Sequence, residues 1–109
     1  KLSGKPNEEV WIMLLNTRLQ VIGDKQISKG GITESSVDIR LIMREAVTAL
    51  ATSMILVHNH PSGNVSPSRE DDHLTQKLAE AGRLMNITLQ DHVIVGGGKY
   101  FSYRDEGKL

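Results

Sequence analysis

The residue types that could carry chemistry are concentrated in one stretch of the chain, from His58 to Asp71. His58 and His60 stand two positions apart in an extended segment, so both imidazoles can project to the same side. Zinc takes nitrogen and carboxylate ligands in a tetrahedral shell, and a catalytic site leaves the fourth position to water. Asp71 lies at the N-terminal end of an inward stripe that runs as far as Met85 on the next predicted helix, and it can supply the third protein ligand. The pattern predicts one mononuclear zinc site per chain, with His58, His60 and Asp71 as its ligands.

A site of this kind indicates a hydrolase. Two histidines and one aspartate leave the metal with a net positive charge, which acidifies a bound water and yields a hydroxide nucleophile. The hydroxide needs a carboxylate that takes and delivers protons. Glu8 and Glu9 precede the first strand, and strand alternation lets only one of them face the metal. Ser68, one helical turn before Asp71, could donate its hydroxyl to the oxyanion formed on a carbonyl.

The elements that must position these residues follow from the apolar pattern. Apolar runs and periodicity predict strands at 10–15 and 19–27, a helix from 39, a strand at 54–57, a helix at 67–84, and strands at 89–95 and 99–103. The first two strands are expected to be antiparallel because their connection is short. The fold class is therefore α+β, with a mixed sheet and two helices packed on it.

Local signals refine these elements. Ser35 or Ser36 can cap the first helix, and the Ser66-Pro67 step is typical of the start of the second. That start disfavours the alternative in which Ser68 and Asp71 serve only as a capping box. The three glycines at 96–98 predict a hairpin turn rather than a phosphate cradle, because they open no helix. His92 could either support the metal ligands from behind or be a buried packing residue, and packing is the preferred interpretation, whereas His73 is interpreted as exposed.

The motif also supports a family resemblance. From His58 to Asp71 the sequence reads H-x-H, seven residues, S, two residues, D, which resembles the JAMM signature of MPN-domain metalloproteases. The fuller wording, His-Asn-His-Pro-Ser-Gly-Asn from position 58 and Asp-His-Val-Ile-Val-Gly from position 91, closely resembles the RadC family of bacterial proteins. The resemblance covers nearly the whole chain from Glu8 onward.

The resemblance implies a JAMM/MPN fold of cytidine-deaminase-like architecture, the same three zinc ligands, and Ser68 as the oxyanion donor. It also implies a general base just ahead of the first strand, which by position is Glu8, with Glu9 as the alternative. Proteins with the JAMM signature cleave isopeptide bonds, so the implied activity is metallopeptidase-type hydrolysis of an amide or isopeptide carbonyl. RadC proteins carry a DNA-repair name, and the alternative is a DNA-transaction or protein-interaction module whose metal is structural or unused.

Length and composition indicate how this chain is organised. With 109 residues and 39% apolar content the chain suits one compact domain. We expect residues 8–109 to form it, and residues 1–7 to be an entry segment or the remnant of a preceding linker. The RadC resemblance implies a helix-hairpin-helix region ahead of this domain, so we expect the chain to be the C-terminal part of a longer protein.

Charge and residue usage limit the partners. Thirteen basic and thirteen acidic side chains cancel, so this fragment is expected to bind DNA only weakly, whereas a protein or peptide substrate fits the implied chemistry. No apolar run approaches the roughly 20 residues of a membrane-spanning helix. The absence of cysteine fits a cytoplasmic protein and excludes thiolate metal ligands. The sequence does not determine the oligomeric state.

Overall fold

A computed structural model of the chain describes residues 7–29 and 37–109. Within these ranges five strands and two helices follow one another in the predicted order. They are β1 Glu9–Leu15, β2 Val21–Lys29, α1 Ile39–Thr48, β3 Ser53–Asn59, α2 Arg69–Leu84, β4 Thr88–Gly96 and β5 Lys99–Ser102. Neither helix has the length and apolar character needed to cross a bilayer.

The strands form one mixed sheet in the order β2-β1-β3-β4-β5. β1 pairs antiparallel with both β2 and β3, as the short connection between the first two strands predicts. β3 and β4 are parallel, and α2 makes the crossover that a parallel pair requires. β4 and β5 close the sheet as an antiparallel hairpin around the predicted glycine turn. The predicted α+β fold class is therefore confirmed.

Both helices pack on the same face of this sheet. Strand alternation buries Val10, Ile12 and Leu14 on that face, while Trp11 and Met13 point to the opposite face and are only half-buried. Ile42 and Ala46 of α1 and Leu74 and Leu78 of α2 join the inward strand residues in one core cluster. Each such leucine or isoleucine stabilises the fold by about 1.5–3 kcal/mol when fully buried. This core fixes how α2 is seated over the sheet, and thereby where its first turn lies.

Three local predictions are corrected. α2 begins at Arg69 instead of Pro67, because Ser68 is its N-cap and forms a capping box with Asp71. The strand predicted at 54–57 extends to Asn59, so His58 belongs to the sheet. Met85, expected on the inward stripe of the helix, is 52% exposed, and α2 instead buries Thr75 and Gly82.

The start of α1 also differs from the prediction. Its N-cap is Asp38, whose side chain accepts a hydrogen bond from the backbone N–H of Arg40. Ser35 and Ser36, predicted as caps, lie outside the described residues, and so do residues 1–6 of the predicted entry segment. The division of the chain at residue 7 stays a prediction.

Candidate metal centre

The predicted ligands and the predicted base meet at one edge of the sheet. His58 lies near the carboxyl end of β3, and Asp71 is the third residue of α2, which follows after a short loop. Glu8 immediately precedes β1, whose first residues pair with the last of β3, with Val10 opposite His58. His60 follows β3 directly, and its backbone N–H donates to the carbonyl of Val95 at 2.9 Å. The carboxyl end of a parallel strand is a common location for ligand sites in such sheets.

The four side chains form a compact cluster. One ligand atom from each of Glu8, His58, His60 and Asp71 lies within 4.8 Å of all the others. The Nε2 atoms of His58 and His60 are 3.0 Å apart, and they lie 3.3 Å and 3.1 Å from Oδ1 and Oδ2 of Asp71 respectively. Tetrahedral zinc with ligands at about 2.0–2.1 Å separates neighbouring ligand atoms by about 3.3 Å. The three predicted ligands therefore have the spacing of a zinc shell.

Hydrogen bonding also shows that the cluster suits a cation. Nδ1 of His60 lies 2.8 Å from the carbonyl oxygen of Asn64, which only accepts, so Nδ1 carries the proton. In the neutral ring Nε2 then presents a lone pair to the Asp71 carboxylate, also an acceptor. Two such acceptors repel unless a positive charge lies between them. A proton or a metal ion between the two atoms removes this repulsion, so the nitrogen and oxygen atoms of the cluster are compatible with a divalent metal.

Asp71 is held as a carboxylate at the start of α2. Its Oδ2 accepts from the Ser68 N–H at 2.8 Å, and its own N–H donates to the Ser68 hydroxyl oxygen at 3.0 Å. Burial opposes ionisation, but the hydrogen bond and charge that His58 supplies in its imidazolium form, together with the bonds from Ser68, outweigh it and hold the pKa of Asp71 well below its usual range. The sequence disfavoured a capping box as the sole role of Ser68 and Asp71. The capping box does form, and it orients Asp71 toward the histidines.

Ser68 combines this structural bond with an exposed position beside the cluster. Its hydroxyl oxygen accepts from Asp71, so the hydroxyl remains able to donate its hydrogen to a substrate oxygen. Capping and the predicted oxyanion role are therefore compatible.

The structure distinguishes between the two glutamates. Oε2 of Glu8 lies 3.6 Å from Nε2 of His58, and its side chain is 25% exposed. Glu9 points to the other face of the sheet, where its Oε1 accepts from the Trp11 indole N–H at 3.0 Å. Asn59 brackets this segment, because its Oδ1 accepts from the Glu9 N–H at 2.6 Å and its Nδ2 donates to the Asn7 carbonyl at 3.0 Å. We call these two Asn59 hydrogen bonds the Asn59 clamp. Together with the alternation of side chains along the strand, the clamp brings Glu8, not Glu9, to the cluster.

His92 is closer to the centre than the sequence indicates. It is fully buried and stacks on Tyr103 with ring centroids 4.7 Å apart, as a packing residue would. Its Nε2 also lies 2.8 Å from Nδ1 of His58. Burial, followed by the charge of His58, lowers the pKa of His92 to about 3. The parallel register of β3 and β4 places His92 opposite Leu56, two residues before His58, and so brings the two imidazoles together. His73 is exposed, as predicted.

The glycine turn after β4 supports the loop that carries His60. A Cβ at Gly96 would lie 2.6 Å from the carbonyl oxygen of His60, and one at Gly97 would lie 3.3 Å from the Cα of Gly63. Real Cβ atoms do not approach a backbone oxygen this closely, so only glycine lets the loop lie against the turn. This function of the glycines is not evident from their order in the sequence.

The domain has the features of the JAB/MPN class of α+β domains. It has a mixed sheet with two helices packed on it, and the two histidines of a His-x-His motif lie beside an aspartate at the start of a helix. Residues 1–108 match the RadC-like JAB domain family, and the chain belongs to that family.

Three relatives, each named UPF0758 protein, show the same likeness. The chain is 49% identical over 109 residues to the protein of Porphyromonas gingivalis W83, 47% over 109 residues to that of Streptococcus gordonii Challis, and 43% over 102 residues to that of Flavobacterium johnsoniae UW101. These matches cover 99%, 100% and 94% of this chain. They cover 48%, 48% and 44% of the relatives, so the chain spans about half their length.

Proposed function

We propose that this domain is a zinc-dependent hydrolase of the metallopeptidase type, which cleaves an amide or isopeptide bond in a protein or peptide substrate. One observation carries the proposal: two imidazole nitrogens and a carboxylate converge at 3.0–3.3 Å, with the Glu8 carboxylate 3.6 Å from one of them. Membership of the RadC-like JAB domain family supports it.

Each residue of the cluster has a distinct role in this proposal. His58, His60 and Asp71 hold the zinc, which supplies Lewis acidity and makes water more acidic when it is bound. Glu8 accepts a proton from the water whose oxygen bonds to the carbonyl carbon, and delivers it to the leaving nitrogen as the C–N bond breaks. Ser68 donates a hydrogen bond to the carbonyl oxygen as negative charge develops there.

The position of Glu8 supports this role. Its carboxylate is partly exposed and near His58, but it lies farther from the histidine nitrogen than the Asp71 oxygens do. A group at this distance can exchange protons through one water without being a ligand.

The proposal is tested by metal-dependent cleavage. The chain is freed of metal with a chelator, reloaded with zinc, and incubated with a panel of fluorogenic peptides and isopeptide-linked peptides. We expect cleavage by the zinc-loaded protein only, and its loss in Asp71→Asn. Asp72→Asn is the matched control, because Asp72 is bonded to Tyr103 outside the cluster and should leave cleavage in place.

Two results would contradict the hydrolase. One is cleavage that persists in the chelated protein or in Asp71→Asn. The other is zinc binding that raises the melting temperature while the zinc-loaded chain, and a longer form that includes the part of the relatives outside this match, cleave nothing in the panel. The second result would support the alternative, a DNA-transaction or protein-interaction module with a structural metal.

A further inference from the structure

A buried chain of hydrogen bonds runs behind His58 and returns to the first turn of α2. Nδ1 of His58 lies 2.8 Å from Nε2 of His92, and Nδ1 of His92 lies 2.5 Å from the hydroxyl oxygen of Thr75. That hydroxyl lies 2.7 Å from the backbone carbonyl oxygen of Asp71. His58, His92 and Thr75 are all at least 98% buried, so no water is needed to complete the chain.

The direction of every bond in this chain is fixed from its far end. The Asp71 carbonyl can only accept, so the Thr75 hydroxyl donates to it and has only lone pairs left for His92. Nδ1 of His92 must then carry the proton, and Nε2 of a neutral His92 accepts from His58. His58 is therefore protonated on Nδ1, and in the neutral ring its Nε2 lone pair faces His60 and Asp71.

We propose that His92 and Thr75 are positioning residues, which hold His58 in the one tautomer that can bind a metal through Nε2. This inference rests on the proposed zinc site and adds two residues to it. The series of hydrogen bonds starts at the predicted ligand His58 and ends on the backbone of the predicted ligand Asp71, so it also fixes the position of His58 relative to Asp71. His60 is oriented separately, through the Asn64 carbonyl. Groups that orient a metal-binding histidine typically change metal affinity 10-fold to 100-fold.

Thr75 offers the sharpest test, because it touches neither the cluster atoms nor the surface. Thr75→Val keeps the shape of the side chain and removes the hydroxyl, whereas Thr75→Ser keeps the hydroxyl. Thr48→Val makes the same chemical change at an exposed position of α1 and is the control. Two properties are measured: the tautomer of His58 in the zinc-free protein, by nitrogen-proton NMR correlations of the ring, and zinc affinity, by competition with a chelator.

We expect wild-type His58 to be protonated on Nδ1 without metal. Thr75→Val should lower zinc affinity about 10-fold to 100-fold and give a mixture of His58 tautomers, while Thr75→Ser and Thr48→Val stay near wild type. A purely structural role for Thr75 would lower the melting temperature but leave tautomer and zinc affinity unchanged, and that result overturns the proposal.

Two further outcomes remain decisive. If Thr75→Val does not fold, the wild-type spectrum still decides, since His58 protonated on Nε2 alone contradicts the assigned direction of the chain. If wild type binds no zinc, the proposed metal site fails. The tautomer measured in the metal-free protein then reports on the hydrogen-bond chain separately.

Discussion

Replacing Glu8 with glutamine tests the assignment of the general base most directly. Glu8→Gln keeps the shape of the side chain and removes the carboxylate's ability to take a proton. General acid–base groups contribute about 100-fold to 10,000-fold in rate, so kcat against any substrate found should fall by that factor. The side chain is 25% exposed, so the free energy of unfolding should change by no more than about 0.5 kcal/mol. Zinc binding should persist, because the three predicted ligands are intact.

Glu9→Gln is the internal control for this variant. Its carboxamide oxygen can still accept from the Trp11 indole N–H, and the side chain lies on the face of the sheet away from the cluster. Hydrolysis rates and zinc content are measured for both variants under the same conditions. An inactive Glu9→Gln beside an active Glu8→Gln would refute the strand register used here. Loss of zinc from Glu8→Gln would show that Glu8 is a ligand or a structural support, and the base role would fail.

Four further predictions concern the metal, the loop, the alkaline limit and DNA. Elemental analysis should find one zinc per loaded chain and almost none in Asp71→Ala; an unchanged ratio would remove Asp71 from the ligands. Gly96→Ala should lower the free energy of unfolding, measured by denaturant titration, by roughly 1–3 kcal/mol and should weaken zinc binding, because a Cβ there meets the His60 carbonyl at 2.6 Å. Gly23→Ala is the control and should show neither effect, because its Cβ meets only Leu14, at 3.9 Å. Burial and the hydrogen bond to Asp72 raise the pKa of Tyr103 above 10.0, so the unfolded chain loses this proton first and stability falls as pH rises past that value. In thermal melts the fall in melting temperature with pH should be shallower for Tyr103→Phe. An equally steep fall in both proteins would contradict the raised pKa of Tyr103. Fluorescence anisotropy should show weak, strongly salt-sensitive DNA binding by this fragment, and tight binding at physiological salt would refute the charge argument.

Much of this site could be predicted from the sequence because its signals are local. The spacing of His58, His60, Ser68 and Asp71 falls within fourteen consecutive residues, and periodicities of two and 3.6 indicate which elements carry them. The order of strands and helices was predicted for the same reason. Even the error at the start of α2 was local, since both Ser66-Pro67 and Ser68 with Asp71 are valid start signals and the second one forms the cap.

Only the tertiary structure decided which distant residues complete the cluster. Glu8 lies fifty residues before His58 in the chain, and its choice over Glu9 depends on how β1 pairs with β3 and on the Asn59 clamp. His92 reaches His58 through the parallel register of β3 and β4, which the sequence does not encode in any short window. A shift of one residue in either pairing would turn these side chains to the other face of the sheet. Register is set by the packing of both helices on the core, so these contacts exist only once the whole domain has folded.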